Sequence, residues 1–220
     1  MRAGSRRAPS GSRKQRAVTS PMLTPVFALL TVMLATAPEP LVDVTTVIPD
    51  LIVDLRYATA DNIMKKAVYP ADARCLLLSG AAQQLLKAAD ALRKKGFRLK
   101  VYDCYRPHSV QYELWKIMPK VGYVADPKTG SNHNRGGAVD LTLAALDGTA
   151  VEMPSDYDFF GPAAHHGFTK GTATSLTNRA TLRTALEQAG FIKNAMEWWH
   201  YELPDAVKSP LRDDPFTPRQ

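Results

Sequence analysis

The sequence has few cysteines, no acidic residue near its start and no apolar run of membrane-spanning length. Its two cysteines, Cys75 and Cys104, do not have the spacing of a zinc finger, which excludes that kind of cysteine-based metal site. The apolar run at residues 26–37 has 12 residues, whereas a transmembrane helix needs about 20. No internal repeat is visible after residue 40, which argues against a solenoid or an array.

The excess of positive charge, +7 for the whole chain, lies at the amino-terminal end. Six of the 28 lysines and arginines lie in the first 16 residues, and none of the 21 acidic residues precedes Glu39. The rest of the chain is therefore close to neutral. Because nucleic-acid binding requires a basic patch on the folded domain, the net charge does not indicate that function.

Residues 1–37 have the organisation of an export signal. A basic region precedes the apolar run, and Ala35-Thr36-Ala37 has the small-x-small form of a cleavage site. The basic region is long and Pro38 would follow the cut, so an uncleaved anchor or an organelle presequence stays open. We predict export to the periplasm or cell surface, or a cytoplasmic protein if the leader is not a functional signal. The predicted segments are a leader at 1–37, one folded domain at 38–208 and a polar tail at 209–220.

Hydrophobic periodicity predicts a small α+β domain. The predicted helices are 79–95, 110–118 and 178–189, and the predicted strands are 97–103, 138–146 and a last strand region from Phe191. We expect Ser79 to cap the first helix and Gly96 to end it. Asp147-Gly148 predicts a hairpin with 149–153. This order of elements predicts a single compact domain with a small antiparallel sheet and flanking helices.

The cysteine pair leaves two alternatives open. In an exported protein Cys75 and Cys104 can form a disulfide, which would close a loop of about 30 residues and contribute roughly 3 kcal/mol. Two buried free thiols are the alternative.

His133 and Asp140 stand seven residues apart with two glycines between them. Imidazole nitrogen and carboxylate oxygen both ligate zinc. Residues seven apart on a regular strand face opposite sides, so the chain must bend for them to converge. Gly136 and Gly137 permit such a bend. Taken alone, the pair is more simply interpreted as a surface histidine and an aspartate at the start of a strand.

Other segments supply what a metallohydrolase needs. Such an enzyme has three protein ligands, a carboxylate that takes a proton from water and a cationic donor for the developing oxyanion. His200 is a candidate third ligand, Glu197 a candidate base, and Arg106 a candidate oxyanion donor at a strand-to-helix junction. Trp198 and Trp199 are predicted to be packing residues. Taken alone, Arg106 could form an ordinary surface salt bridge, and the Glu-Trp-Trp-His segment could be an aromatic part of the core. The presence of both segments together with the His133–Asp140 pair favours a functional site.

Together these segments resemble the zinc D-alanyl-D-alanine dipeptidases of the VanX type, part of a larger group of D,D-peptidases that includes D,D-carboxypeptidases. The resemblance runs from about residue 54 to residue 203. It is carried by Arg56-Tyr57-Ala58-Thr59-x-Asp61-Asn62, Tyr105-Arg106-Pro107, Ser131-x-His133-x-x-Gly136-x-Ala138-x-Asp140, Tyr157-Asp158-Phe159, His165-His166 and Glu197-Trp198-Trp199-His200. The Tyr-Ala-Thr and Glu-Trp-Trp-His segments indicate the dipeptidase branch.

The resemblance implies one zinc ion per chain, held by His133, Asp140 and His200. It implies that Glu197 acts as general base and then as general acid, and that Arg106 stabilises the tetrahedral intermediate. The domain at 38–208 would then be a zinc D,D-dipeptidase catalytic domain.

The resemblance further implies that Ser131 and Asp158 hold the free amino group of the substrate, whose ammonium needs a carboxylate partner in a closed pocket. His165 and His166 are not ligands in the family, and we interpret them as loop residues. Cys104 stands where family members can carry a glycine. The leader is a second departure, since dipeptidases of this type can be cytoplasmic.

The expected function is zinc-dependent hydrolysis of D-Ala-D-Ala to two D-alanines, in cell-wall precursor turnover or glycopeptide resistance. A D,D-carboxypeptidase or endopeptidase acting on peptidoglycan peptides is the alternative within the same chemistry. A non-catalytic zinc domain that binds wall fragments or a protein partner is the alternative from another class. We expect a small dipeptide as the partner, no nucleic acid, and no membrane partner beyond an uncleaved leader.

Overall fold

The computed structural model describes residues 39–216 and, in the leader, only Met1 and Gly4. The predicted export signal and its cleavage site lie outside the described residues. Among residues 39–216, none of the helices combines the length and the hydrophobicity that a transmembrane span requires.

Between residues 39 and 216 the chain forms seven strands and three α-helices. The strands are β1 (Leu41–Asp43), β2 (Ile52–Val53), β3 (Leu76–Leu78), β4 (Phe97–Asp103), β5 (Ala138–Ala145), β6 (Ile192–Lys193) and β7 (His200–Glu202). The helices are α1 (Ser79–Arg93), α2 (His108–Ile117) and α3 (Ala173–Gln188). The predicted α+β class is confirmed.

The main sheet has five strands in the order β2-β4-β5-β7-β6, and β1 pairs separately with β3. All neighbours in the main sheet are antiparallel except β2 and β4. Strand β5 lies at the centre and is buried along almost its whole length, as expected for its apolar run. Its register places Asp140 opposite Asp103 of β4 and opposite His200 of β7. The sheet therefore gathers three polar side chains in one row.

Helices α1 and α3 pack against each other and cover the sheet. The helix predicted at 79–95 is confirmed, and Gly96 follows it with a φ of +85°. The predicted cap is wrong: Leu78 occupies the N-cap position, and the Ser79 hydroxyl donates instead to Glu39 Oε1 at 2.6 Å. Trp198 and Trp199 are each 1% exposed, which confirms them as packing residues.

Two elements differ from the prediction. The hairpin after β5 is reduced to one bridge, Ala144 to Ala150, so residues 149–153 form no strand. Helix α3 begins at Ala173, five residues before the prediction, because the Thr172 hydroxyl accepts a hydrogen bond from the Ser175 backbone N–H at 3.0 Å. The helix was predicted from apolar periodicity, and capping by a hydroxyl group leaves no signal in that periodicity.

The segment 209–216 differs from the polar tail predicted there. Phe216 is 5% exposed, and its ring centroid lies 4.6 Å from that of Tyr69 and 6.0 Å from that of Tyr105. The backbone N–H of Arg212 donates to the Asn134 carbonyl at 2.9 Å. A single phenylalanine among prolines and charged residues has no periodicity, so its burial could not be predicted.

Cys75 and Cys104 form a disulfide, which decides between the two alternatives left open by the sequence. The bond joins the residue before β3 to the residue after β4, and both cysteines are buried.

Candidate active site

The bend between His133 and Asp140 forms where the two glycines predicted it. His133 begins a 3-10 turn at His133–Arg135, and Gly136 ends that turn with a φ of +74°. Strand β5 then starts at Ala138 and brings Asp140 back towards the histidine. The left-handed conformation at Gly136 is one that residues with a β-carbon rarely adopt.

The three predicted ligand atoms meet at one point. His133 Nε2 lies 3.2 Å from Asp140 Oδ1, His200 Nδ1 lies 2.9 Å from the same oxygen, and the two nitrogens are 3.1 Å apart. A tetrahedral metal with bonds of about 2.0–2.1 Å separates its ligand atoms by about 3.3 Å. The donor set and its spacing therefore fit a metal ion, and these residues could hold one.

The outer nitrogens of both histidines have fixed acceptors. His133 Nδ1 lies 2.7 Å from the Cys104 carbonyl, and His200 Nε2 lies 3.2 Å from Glu202 Oε2. These acceptors hold a proton on the outer nitrogen and direct the inner lone pair at the ligand point. Asp140 is oriented in the same way, because its second oxygen, Oδ2, accepts a hydrogen bond from the Tyr157 hydroxyl at 3.0 Å.

The charges of the cluster also suit a cation. Burial alone would lower the pKa of His200, but hydrogen bonds to Asp140 and Glu202 outweigh it and raise this pKa to about 10. Burial alone would raise the pKa of Asp140, but the charges and hydrogen bonds of His133 and His200 lower it well below its usual range. The cluster thus attracts positive charge. A metal ion would displace the proton of His200 and supply that charge instead.

Glu197 lies in the turn before β7 and is 5% exposed. Burial, with the nearby Asp140 and Asp158 charges, raises its pKa to about 8 despite the opposing effect of His200. The Asn194 amide donates to Glu197 Oε2 at 2.8 Å. A carboxyl group whose pKa lies near neutral pH can both accept and donate a proton.

Arg106 follows β4 and is 7% exposed. Its Nε and Nη2 both donate to Asp103 Oδ2, at 2.9 and 2.6 Å, and Nη1 donates to Gln111 Oε1 at 2.9 Å. The guanidinium lies 5.2 Å from the Tyr57 ring centroid, and Nη2 is 3.9 Å from Asp140 Oδ2. An arginine has five N–H donors, so two of them have no partner among these side chains.

Asp158 has a φ of +58°, which aims its side chain inward at a backbone cost. Its Oδ2 accepts long hydrogen bonds from the Tyr57 hydroxyl (3.4 Å) and the Ile63 backbone N–H (3.3 Å). Burial, with the Asp140 charge, raises the pKa of Asp158 to about 7. Ser131 is half-buried as well, and its hydroxyl oxygen accepts from the His133 backbone N–H at 3.2 Å.

One cavity of about 480 Å³ contains every predicted site residue: Arg106, Ser131, His133, Asp140, Asp158, Glu197 and His200. A larger cavity of about 630 Å³ includes only Asp158 of these seven. Size alone would select the larger cavity, but the titratable groups and the ligand cluster place the chemistry in the smaller one.

Several residues around the site were assigned no role by the sequence analysis. They are Cys104 through its carbonyl, Tyr157, Asn194 and Glu202. The role of Glu202 could have been predicted from the sequence, because Glu202 lies two residues after His200 on one strand and therefore faces the same side. Cys104 and Tyr157 depend on contacts between separate segments, and Asn194 stands three residues before Glu197, a spacing that does not by itself indicate a contact.

The two loop histidines lie outside the ligand cluster, as predicted. His165 Nε2 contacts the Tyr123 hydroxyl at 2.9 Å. His166 is 8% exposed, and burial lowers its pKa to about 4.

A mixed α+β domain with a buried His-Asp-His cluster, beside an enclosed carboxyl and guanidinium group, defines a hydrolase of the metallopeptidase class. Comparison with known families identifies the particular branch. The chain belongs to the Peptidase M15 family, described as D-Ala-D-Ala dipeptidase, whose profile matches residues 38–218.

Curated relatives agree with this family. The chain is 40% identical to the D-alanyl-D-alanine dipeptidase of Escherichia coli (strain K12), over 80% of this chain and 91% of that protein. It is 34% identical to the D-alanyl-D-alanine dipeptidase of Enterococcus faecium, over 69% of this chain and 85% of that protein. The similarity therefore extends over most of each protein.

Proposed function

We propose that the protein is a zinc-dependent dipeptidase that hydrolyses D-Ala-D-Ala to two molecules of D-alanine. The observation that carries this proposal is the convergence of His133, Asp140 and His200 with Glu197 and Arg106 in one cavity. The names of the curated relatives support the dipeptide as substrate.

The donor set supports zinc as the metal. Two imidazoles and one carboxylate are ligands that catalytic zinc sites use, with one position left for water or substrate. Zinc held there by His133, Asp140 and His200 would polarise the scissile carbonyl and acidify water. The outer acceptors of both imidazoles meet the usual requirement for oriented ligands.

Glu197 is proposed to take the proton of the attacking water and deliver it to the leaving amine. Both transfers need one carboxyl group to exchange a proton near the working pH. The pKa of about 8 that burial produces for Glu197 is consistent with this.

Arg106 is proposed to stabilise the negative charge that develops on the carbonyl oxygen. Asp103 and Gln111 hold its guanidinium in place, and its remaining N–H donors are free to face the cavity. Loss of one oxyanion donor typically reduces the rate by about 10²–10³.

Asp158 and Ser131 are proposed to bind the free ammonium group of the dipeptide. Asp158 suits this role because its half-buried carboxylate has only long hydrogen bonds from protein donors. An ammonium group would supply the missing charge and donors. This site would therefore favour substrates with a free amino terminus.

The larger cavity beyond Asp158 is the feature that favours the alternative, a D,D-carboxypeptidase or endopeptidase. A peptide extended at its amino terminus could continue past Asp158 into that cavity. The position of Asp158 in the wall between the two cavities favours the dipeptidase.

The deciding experiment measures alanine release from D-Ala-D-Ala and from its N-acylated form, using zinc-loaded protein without residues 1–37. Cleavage of the free dipeptide alone is expected. Equal or preferred cleavage of the acylated form would support the carboxypeptidase and remove Asp158 from substrate binding. Metal binding without cleavage of either substrate would support the non-catalytic zinc domain.

We also propose that the protein is exported and acts in cell-wall precursor turnover or glycopeptide resistance. The leader at 1–37 supports export through its basic region, apolar run and cleavage motif. The disulfide is consistent with this, because such bonds persist in oxidising compartments.

A further inference from the structure

Asn194 occupies the wall of the catalytic cavity, directly after β6. Its side-chain nitrogen donates to Glu197 Oε2 at 2.8 Å and to the Gly122 carbonyl at 3.1 Å. Its side-chain oxygen accepts from the Met196 backbone N–H at 3.0 Å. Both amide N–H groups and the amide oxygen therefore have partners, which fixes the orientation of the amide.

The Glu197 carboxyl group depends on this contact. Within residues 39–216, Asn194 is the hydrogen-bond donor to the Glu197 side chain. A buried carboxylate with one donor has one oxygen held in place, while the other remains available for proton transfer. Without Asn194, Glu197 would be buried with no donor among these residues, and no hydrogen bond would restrict rotation about its last side-chain bond.

The second N–H donor of the Asn194 amide connects Glu197 to another segment that lines the cavity. Gly122 belongs to the loop between α2 and the His133 turn, and its φ is +100°. The next residue, Tyr123, lines the cavity, contacts His165 through its hydroxyl at 2.9 Å and packs its ring against Phe160. The loop that encloses the substrate space therefore shares the Asn194 amide with the candidate base.

Gly122 packs closely against the turn that carries Glu197. A β-carbon on Gly122 would lie 2.7 Å from Met196 Sδ, in the turn that carries Glu197. The same turn is also held by the His166 backbone N–H, which donates to the Ala195 carbonyl at 3.0 Å. Both loops at the cavity are thus tied to the turn of the candidate base.

We propose that Asn194 is a positioning residue that orients the Glu197 carboxylate and ties that orientation to the substrate-enclosing loop at 119–130. The part that concerns Glu197 rests on the proposed function, because it takes Glu197 as the base. The part that concerns the loop rests on the Gly122 contact alone.

The test compares Asn194→Ala and Asn194→Asp with a matched control, Asn178→Ala. Asn194→Asp keeps the shape and the acceptor but removes both N–H donors. Like Asn194, Asn178 donates its side-chain amide to one backbone carbonyl, that of Glu152 at 2.9 Å, but it does not line the catalytic cavity. All proteins are assayed full length and zinc-loaded, with metal content measured for each.

Both Asn194 variants are expected to lower kcat for D-Ala-D-Ala by about 10- to 100-fold, since small misplacement of a catalytic group can cost about 10²-fold. KM and metal content should stay close to wild type, because the loss concerns the transition state. Asn178→Ala should leave kcat unchanged. Unchanged kcat in both Asn194 variants, or a rise in KM alone, would overturn the role in orienting Glu197.

Hydrogen exchange of the 119–130 loop provides a readout independent of activity. Exchange there should accelerate in both Asn194 variants and stay at the wild-type rate in Asn178→Ala. Equal exchange in all four proteins would overturn the link to the loop. Wild-type protein inactive against D-Ala-D-Ala would instead overturn the proposed function and the Glu197 part of this proposal, while exchange would still decide the loop part.

Discussion

The two carboxylate oxygens of Asp140 have different partners at this site. Its Oδ1 faces His133 and His200, while its Oδ2 accepts from Tyr157 and lies near Arg106. One oxygen is therefore available to a metal and the other is anchored. The anchoring hydroxyl comes from a loop distant in sequence, which makes it separable from the ligands by mutation.

We predict that Tyr157→Phe weakens zinc binding by about 10- to 100-fold, the usual cost of losing a partner that orients a ligand. The ring and its packing against Trp199 would be kept, so the fold should be unaffected. Chelator competition measures the affinity. Tyr102→Phe is the control, because Tyr102 packs on Tyr157 without contacting Asp140. Equal affinities for all three proteins would contradict the prediction.

The ionisation of Asp158 is expected to affect kcat/KM on the acid side of the pH profile. Burial raises its pKa to about 7, and ammonium binding needs the ionised form, so below that pKa Asp158 should add about tenfold per pH unit to the fall in kcat/KM that protonation of Glu197, with its pKa of about 8, already causes. A bound cation would offset the Asp140 charge, which places the limb at or somewhat below 7. Asp158→Asn should lose most activity, and the remaining activity should keep the limb of Glu197 but lack the additional fall caused by Asp158. A limb of the same position and slope in Asp158→Asn would refute the assignment.

Among the elements, the alignment of the central strands creates the site. Asp103, Asp140 and His200 lie opposite one another on β4, β5 and β7. Shifting β5 by one residue would turn Asp140 to the other face of the sheet. The buried apolar residues of β5 prevent such a shift, since they would have to leave the core at the same time. Packing energy thus maintains the position of the ligand.

The disulfide secures the turn that follows β4. It holds Cys104, whose carbonyl is the acceptor for His133, and it directly precedes Tyr105 and Arg106. We predict that the double variant Cys75→Ser, Cys104→Ser loses about 3 kcal/mol of unfolding free energy, because the unfolded chain regains the entropy of the closed loop. Urea denaturation measures this.

Reduction of the wild-type disulfide provides the control for that double variant, and the two proteins should unfold at the same urea concentration. Stability equal to that of the oxidised wild type would show that the bond adds nothing to the folded domain.

For the molecule as a whole, a metal ion would join three separate parts of the chain: the turn at His133, strand β5 and strand β7. A ligand that binds only the folded state stabilises it by about 2.7 kcal/mol at a concentration of 100 times its Kd. We predict that chelation lowers the Tm and that added zinc restores it, as measured by calorimetry. His133→Ala should be insensitive to both treatments. A zinc-dependent Tm in that variant would place the metal elsewhere.

Export is a further prediction at this scale. The full-length chain, expressed in a bacterium and fractionated, should appear outside the cytoplasm and begin near residue 38 by amino-terminal sequencing. Deletion of residues 1–37 should retain it in the cytoplasm. Full-length protein found intact in the cytoplasm would favour a leader that is not a functional signal.

The sequence by itself determined the parts of this protein that depend on local periodicity and residue chemistry. Helix α1 and strand β4 followed from apolar spacing, and β5 from its apolar run. His133, Asp140, His200 and Glu197 were identifiable because few side chains ligate metals or transfer protons. The glycine at the bend was likewise visible, since its conformational freedom is a local property.

Only the tertiary structure decided which distant groups complete the site. The Cys104 carbonyl and the Tyr157 hydroxyl reach their partners through strand register and loop packing, and the Asn194 amide reaches the Gly122 carbonyl in the same way. The same holds for the disulfide and for the burial of Phe216. Hydrogen bonds and contacts between segments far apart in the chain leave no periodic trace in the sequence, because they depend on the path of the backbone in space.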